Sequence, residues 1–153
     1  MFKFLICSTF LLVASNTSTS QSIDKNAVIQ ATKDYIQSQH LVNPEQMRKA
    51  LHPELKKRTF WLNQSGEEFL LETSYQTMLK VAQTYNKNGD RFPNNPRIDI
   101  KVLDIDQRAA SVKLTVDDWI DYMHLIKLES GEWKIINVLW QYHDTGRHQT
   151  KRK

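Results

Sequence analysis

The sequence predicts an α+β domain in which three N-terminal helices pack on a strongly curved antiparallel sheet. Three observations predict it. The N-terminal half carries apolar residues at helical spacing. A Pro/Asn-rich break falls near the middle of the chain. Beyond it the period changes to short runs rich in β-branched and aromatic residues, joined by tight turns. With 153 residues, 40% of them apolar and 25% charged, the chain has the size and balance of one soluble domain.

The first helix is read over residues 23–40, where Ala27, Val28, Ala31 and Tyr35 form one stripe. Asn43, Pro44 and Gln46 then supply a cap, a first-turn proline and a reciprocal capping partner for a second, shorter helix to about residue 51, with Met47 and Leu51 inward. A short strand pair follows over residues 55–62 and 67–71, across turn residues 63–66. Thr73 and Gln76 read as a second capping box. Tyr75, Met78, Leu79 and Ala82 then give a third helix over residues 74–85. Residues 86–96 hold one glycine, two prolines and four asparagines, so neither element continues there. Four strands in meander order are expected over residues 98–106, 109–116, 119–129 and 132–142.

The extreme N-terminus is of another kind. Lys3 precedes an apolar run over residues 4–14, and small polar residues follow to position 22, the layout of a signal peptide, with cleavage expected near Ser20 and a second choice at Val13 and Ser15. The expected division is a leader over residues 1–20, a domain over 21–143 and a basic tail over 144–153. The run is shorter than the roughly 20 residues that span a bilayer, so an exported protein without a stable membrane anchor is expected. The one cysteine, Cys7, lies in this leader with no lipidation pattern around it. A mature chain without cysteine has no disulfide, thiolate nucleophile or cysteine-ligated zinc. The formal charge of +4 falls to about +3 once Lys3 leaves. Its basic residues gather at Lys56, Lys57, Arg58, Arg147 and residues 151–153. With no glycine-rich phosphate loop or aromatic RNA-binding signature beside them, they read as a solvated edge and a frayed tail, and no nucleic-acid partner is expected.

If Ser130 and Gly131 make a two-residue turn, the last hairpin has a defined register. One face then pairs Ile126 with Ile135, His124 with Asn137 and Tyr122 with Leu139. The other pairs Leu125 with Ile136, Met123 with Val138, Asp121 with Trp140 and Trp119 with Tyr142. The first face is apolar near the turn and mixed further out, so it is assigned to a ligand cup. The second ends in Lys127 and Lys134 and is assigned to a homodimer through Trp119, Met123, Leu125, Val138 and Trp140.

From Trp119 to Trp140 the chain reads WIDYMHLIKLESGEWKIINVLW, which resembles the signature strand pair of the putative lumazine-binding family of the nuclear transport factor 2-like (SnoaL-like) superfamily. The element order and His52-Pro53 after the second helix resemble it too, over about residues 24–142. The resemblance implies a cone of curved sheet wrapped around helices, often paired through the outer sheet face, with a pocket at its open end.

His124 beside Asn137 offers an acid, a base or a ligand-orienting donor. Tyr122 offers a phenolic donor of the kind that stabilises an enolate. These two are the catalytic candidates. His52 is read as pointing into the cup or capping its own helix, and Tyr35, Phe60, Trp61 and Tyr75 as an aromatic wall. The expected ligand-binding set is thus Tyr35, His52, Phe60, Tyr75, Tyr122, His124 and Asn137, for a small hydrophobic or aromatic molecule. Asp117 and Asp118 read as a turn. His143 and His148 lack a helix-face metal spacing, so neither a metal nor a cofactor is expected. Three functions compete: exported small-molecule binding, an isomerase or cyclase moving a proton beside a carbonyl, and a dimeric interaction module. The second is weakened by the absence of an acidic residue from the assigned cup face.

Overall fold

The computed structural model describes the backbone of residues 16–150 and side chains from Gln21 to Thr150; residues 1–15, which hold Cys7 and most of the expected leader, and residues 151–153 lie outside the described residues. The elements run α1 (Asn16–His40), α2 (Pro44–Ala50), β1 (Leu51–Leu62), β2 (Glu68–Ser74), α3 (Tyr75–Thr84), β3 (Ile98–Asp106), β4 (Ala109–Val116), β5 (Trp119–Lys127), β6 (Trp133–Tyr142) and a 3-10 turn, Thr145–Arg147. This is the expected order. The curved sheet is mixed rather than antiparallel throughout: in the order β2-β1-β6-β5-β4-β3, β1 lies parallel to β6. Helices cover one face, and the core forms between them and that concave face.

In α1 the predicted stripe faces the core, with Val28, Ala31 and Tyr35 buried and Ala27 partly so; Ile36, outside the stripe, is buried beside it, and Thr32 and Ser38 return their hydroxyls to the carbonyls of Val28 and Tyr35 at 2.9 and 2.8 Å. Such back-bonding is how short polar side chains enter a helix core. The helix ends on Val42, whose φ of 56° is left-handed, with the Asn43 N–H reaching the Ser38 carbonyl at 2.9 Å, a Schellman-type stop. At the start of α2 the Asn43 side chain accepts from the Gln46 N–H at 3.1 Å, but the Gln46 amide turns to Asp34 at 2.9 Å, so the reciprocal half of the expected box is not made. α3 is capped by Ser74, one residue after the expected Thr73, through the Thr77 N–H.

The last hairpin explains how its faces are distributed. Gly131, with φ of 87°, closes a three-residue loop in which its N–H reaches the Leu128 carbonyl at 2.9 Å and the Leu128 N–H reaches that of Glu132 at 2.8 Å. Glycine suits this position because a left-handed φ costs it nothing. The loop displaces the pairing by one, to Lys127 with Trp133 and Leu125 with Ile135. A bulge at Ile136 then restores the expected register from His124 with Asn137 outward. Because one inserted residue turns a strand over, Trp133 and Ile135 share the core face with Val138 and Trp140. On β5 the side chains of Trp119, Asp121, Met123 and Leu125 are buried while Tyr122 and His124 are exposed. The face assigned to a dimer is therefore the concave core face, and the face assigned to the cup is convex.

The tail also departs from expectation. After the Thr145–Arg147 turn it lies beside the end of β1. The Leu62 N–H binds the His148 carbonyl and the Thr150 N–H binds the Leu62 carbonyl, both at 2.9 Å, and the His148 side chain is 1% exposed. Residues 144–150 are thus docked rather than frayed.

Candidate functional site

Between α1, α3 and the concave ends of β1, β2, β5 and β6 lies a cavity of about 160 Å³. Trp119, Trp140 and Tyr142 come from the sheet, and Met78 and Val81 from α3 with Tyr85 just beyond its end. Gln39, Lys57 and Thr73 are its polar lining. Alternation places Lys57 there: on β1 the residues Leu55, Lys57 and Thr59 all face inward and are buried.

Lys57 is held from three sides. Its Nζ donates to Asp121 Oδ1 at 2.7 Å and to the Tyr35 hydroxyl at 2.6 Å, and it stands 4.9 Å from the Trp140 ring centroid. Asp121 is 0% exposed, and its other oxygen accepts from Trp119 Nε1 at 2.8 Å. An ammonium and a carboxylate removed from water need this degree of mutual satisfaction, since desolvation otherwise outweighs their attraction. Burial first, and the Asp121 charge second, push the Tyr35 hydroxyl well above the usual phenol range, so it stays protonated. Two groups retain hydrogen-bonding capacity beside the cavity. The ammonium has a third proton beyond the two bonds it makes. The Trp140 indole N–H is buried without an acceptor, alone in this among the buried side-chain polar atoms of the described residues.

Behind Trp140 and Tyr142 sits His148. Its Nε2 accepts from the Tyr142 N–H at 2.8 Å, its Nδ1 lies 3.1 Å from the Phe60 carbonyl and 3.3 Å from the Thr59 hydroxyl, and its ring stacks on Phe60 at 4.5 Å. These partners require a neutral ring with the proton on Nδ1. Burial, with a smaller contribution from Arg147, lowers its pKa, opposed by the bond to Phe60. Over the cavity's other flank, Phe92 packs edge-on against Tyr85 and Trp119 at 5.9 and 6.0 Å. Its loop is pinned where Asn86 donates to the His40 carbonyl at 2.7 Å and accepts from the Arg91 N–H at 2.9 Å.

Of the expected ligand-binding set, Tyr35 alone joins this network. Tyr122, His124 and Asn137 lie on the convex face, where His124 Nδ1 is 3.0 Å from the Asn137 amide and Arg58 donates to Asn137 at 3.4 Å. Phe60 stacks on His148, and Tyr75 meets Arg48 at 3.4 Å. His52 falls in β1, not at a helix end, and takes the Glu54 N–H on its own Nδ1 at 3.1 Å. None of these six lines the cavity. Of the expected dimer residues, Met123, Leu125 and Val138 are core, while Trp119 and Trp140 form the cavity walls. Lys57 and Asp121 were missed. The signal was present as one lysine and one aspartate, of opposite sign, each flanked by uncharged residues on its strand face.

Comparison with known proteins supports the architecture. An NTF2-like protein of unknown function from Silicibacter pomeroyi superposes with a TM-score of 0.62 at 14% identity, covering 83% of this chain and 99% of its own. A structure described as a putative scytalone dehydratase, from Novosphingobium aromaticivorans, gives 0.54 at 14% identity, covering 82% and 88%. A Catenulispora acidiphila protein solved with S-DNPA gives 0.51 at 13%, covering 83% and 98%. At these identities the shared property is the fold. No curated protein matches the sequence. The family described as putative lumazine-binding matches residues 23–141, nearly the whole of the helices and sheet described above, and the chain belongs to that family.

Proposed function

We propose that this chain is an exported small-molecule binding protein whose ligand, a small hydrophobic or aromatic compound, occupies the cavity between α3 and the concave sheet. The observation that carries the reading is an aromatic-walled cavity with a buried, still incompletely bonded lysine at its edge. Apolar walls with a few placed polar groups are what small-molecule sites have in common. Membership of a family described as lumazine-binding supports a small ligand, and the leader composition supports export. The proton-transfer alternative gains an acidic residue on the concave face, but not one free to act as a base. Asp121 is fully buried with both oxygens engaged. A thermal-shift and native mass-spectrometry screen of ring compounds tests the proposal. Trp119→Ala is expected to abolish any binding found, and silence across the whole screen would overturn it.

A second reading concerns the convex face. A single cross-strand row runs Lys101, Lys113, Tyr122, Leu139, Arg58, Glu72. Tyr122 is 44% and Leu139 56% exposed. An exposed apolar centre flanked by charged residues suits contact with a second copy about a two-fold axis, so we propose pairing of two copies here. Light scattering on wild type and Leu139→Arg checks it: a dimer that becomes a monomer is expected, and a monomeric wild type would end the idea.

A further inference from the structure

The charges around the cavity restrict its ligand more narrowly than its walls do. The ammonium of Lys57 is already matched by Asp121 at 2.7 Å. The arginines near the rim are solvent-exposed and stand beside carboxylates of their own: Arg91, above the Tyr85 ring, lies 3.8 Å from Asp90, and Arg147, above the Tyr142 ring, lies 3.3 Å from Asp118. A ligand carboxylate entering here would be a buried charge without a counterion, which is costly. A purely hydrocarbon ligand would leave the third Lys57 proton and the Trp140 N–H as they are, donors without acceptors.

Resting on the reading of this cavity as a ligand site, we infer that its ligand is an uncharged ring compound bearing a hydrogen-bond acceptor such as a carbonyl oxygen, which accepts a hydrogen bond from the remaining N–H of Lys57. Asp121 then acts as a specificity residue: by neutralising Lys57 it leaves the lysine a strong donor without making the site an anion receptor. The volume, about 160 Å³, is below the roughly 300–1,000 Å³ of sites for drug-sized molecules, so the part of the ligand seated between the walls is a small ring, with the open side free to pass any extension.

Three probes of similar shape separate the possibilities: acetophenone, ethylbenzene and benzoate, with dissociation constants measured by ligand-observed NMR on the full mature chain. Acetophenone is expected to bind roughly 10- to 100-fold more tightly than ethylbenzene, the preference a hydrogen bond to a charged donor confers, with benzoate weakest. The Lys57→Met, Asp121→Leu double variant, which removes both charges and leaves neither unpaired, is expected to bind acetophenone and ethylbenzene alike. Equal binding of ketone and hydrocarbon by wild type would overturn the acceptor inference and leave the cavity reading standing. Tightest binding of benzoate would overturn the neutrality argument. No binding of any of the three, where the broader screen also fails, would remove the cavity reading itself.

Discussion

Lys57 Nζ and Asp121 Oδ1 stand 2.7 Å apart across the concave face, joining β1 to β5 over 64 residues of sequence. The β6 strand lies between them in the sheet. The pair therefore clamps three strands at the level of the cavity, and it orients the two tryptophans that wall it.

Breaking this pair from one side should be far worse than removing it. Lys57→Met leaves Asp121 buried and unpaired, and Asp121→Leu leaves the ammonium so; each is expected to cost about 3–5 kcal/mol. The double variant should be much less destabilised than the sum of the two, a coupling that chemical denaturation of the four proteins in a double-mutant cycle measures.

His148 ties stability to acidity. Burial lowers its folded pKa, so the unfolded chain takes up the proton first as pH falls. The stability it contributes is fully present above the unfolded value of about 6.5 and is lost as pH falls from there through the folded pKa. Melting temperatures between pH 8 and 5 should drop more steeply for wild type than for His148→Gln. The amide protons of Leu62 and Thr150, which bind across the tail, should lose exchange protection in the same interval.

Val42 holds a left-handed φ of 56° at the end of α1, a conformation that costs a β-branched residue roughly 1–2 kcal/mol. Val42→Gly is expected to recover about 1 kcal/mol of this after the greater entropy of glycine in the unfolded chain is deducted, seen as a higher denaturation midpoint with an unchanged slope.

The convex side chains should be indifferent to cavity binding. Tyr122→Phe and His124→Ala are expected to bind acetophenone as wild type does, within about 2-fold, since both project away from the helices and make no contact with the cavity lining. Trp119→Ala should lose binding at least 10-fold. A loss confined to the His124 variant, measured by the same NMR titration, would return the site to the other face.

The sequence by itself determined the elements and their order. The stripe of Val28, Ala31 and Tyr35, the Asn43-Pro44 start of α2 and the β-branched meander are local patterns, read at spacings of a few residues, whereas the expected register of β5 with β6 outward of His124 and Asn137 holds only because the bulge at Ile136 offsets a turn one residue longer than expected. Only the tertiary structure decided which face is inside. One extra turn residue and the bulge at Ile136 reverse the parity of β6, so that Trp133 and Trp140 come to the same side, and no periodicity announces a bulge. A buried Asp121 reads as a solvent residue until Lys57 arrives from β1, and His148 reads as tail until it is seen wedged behind Trp140 at 5.3 Å. Charged and polar groups are admitted to a core by partners distant in the chain, and it is those partners, rather than any local pattern, that put the site where it is.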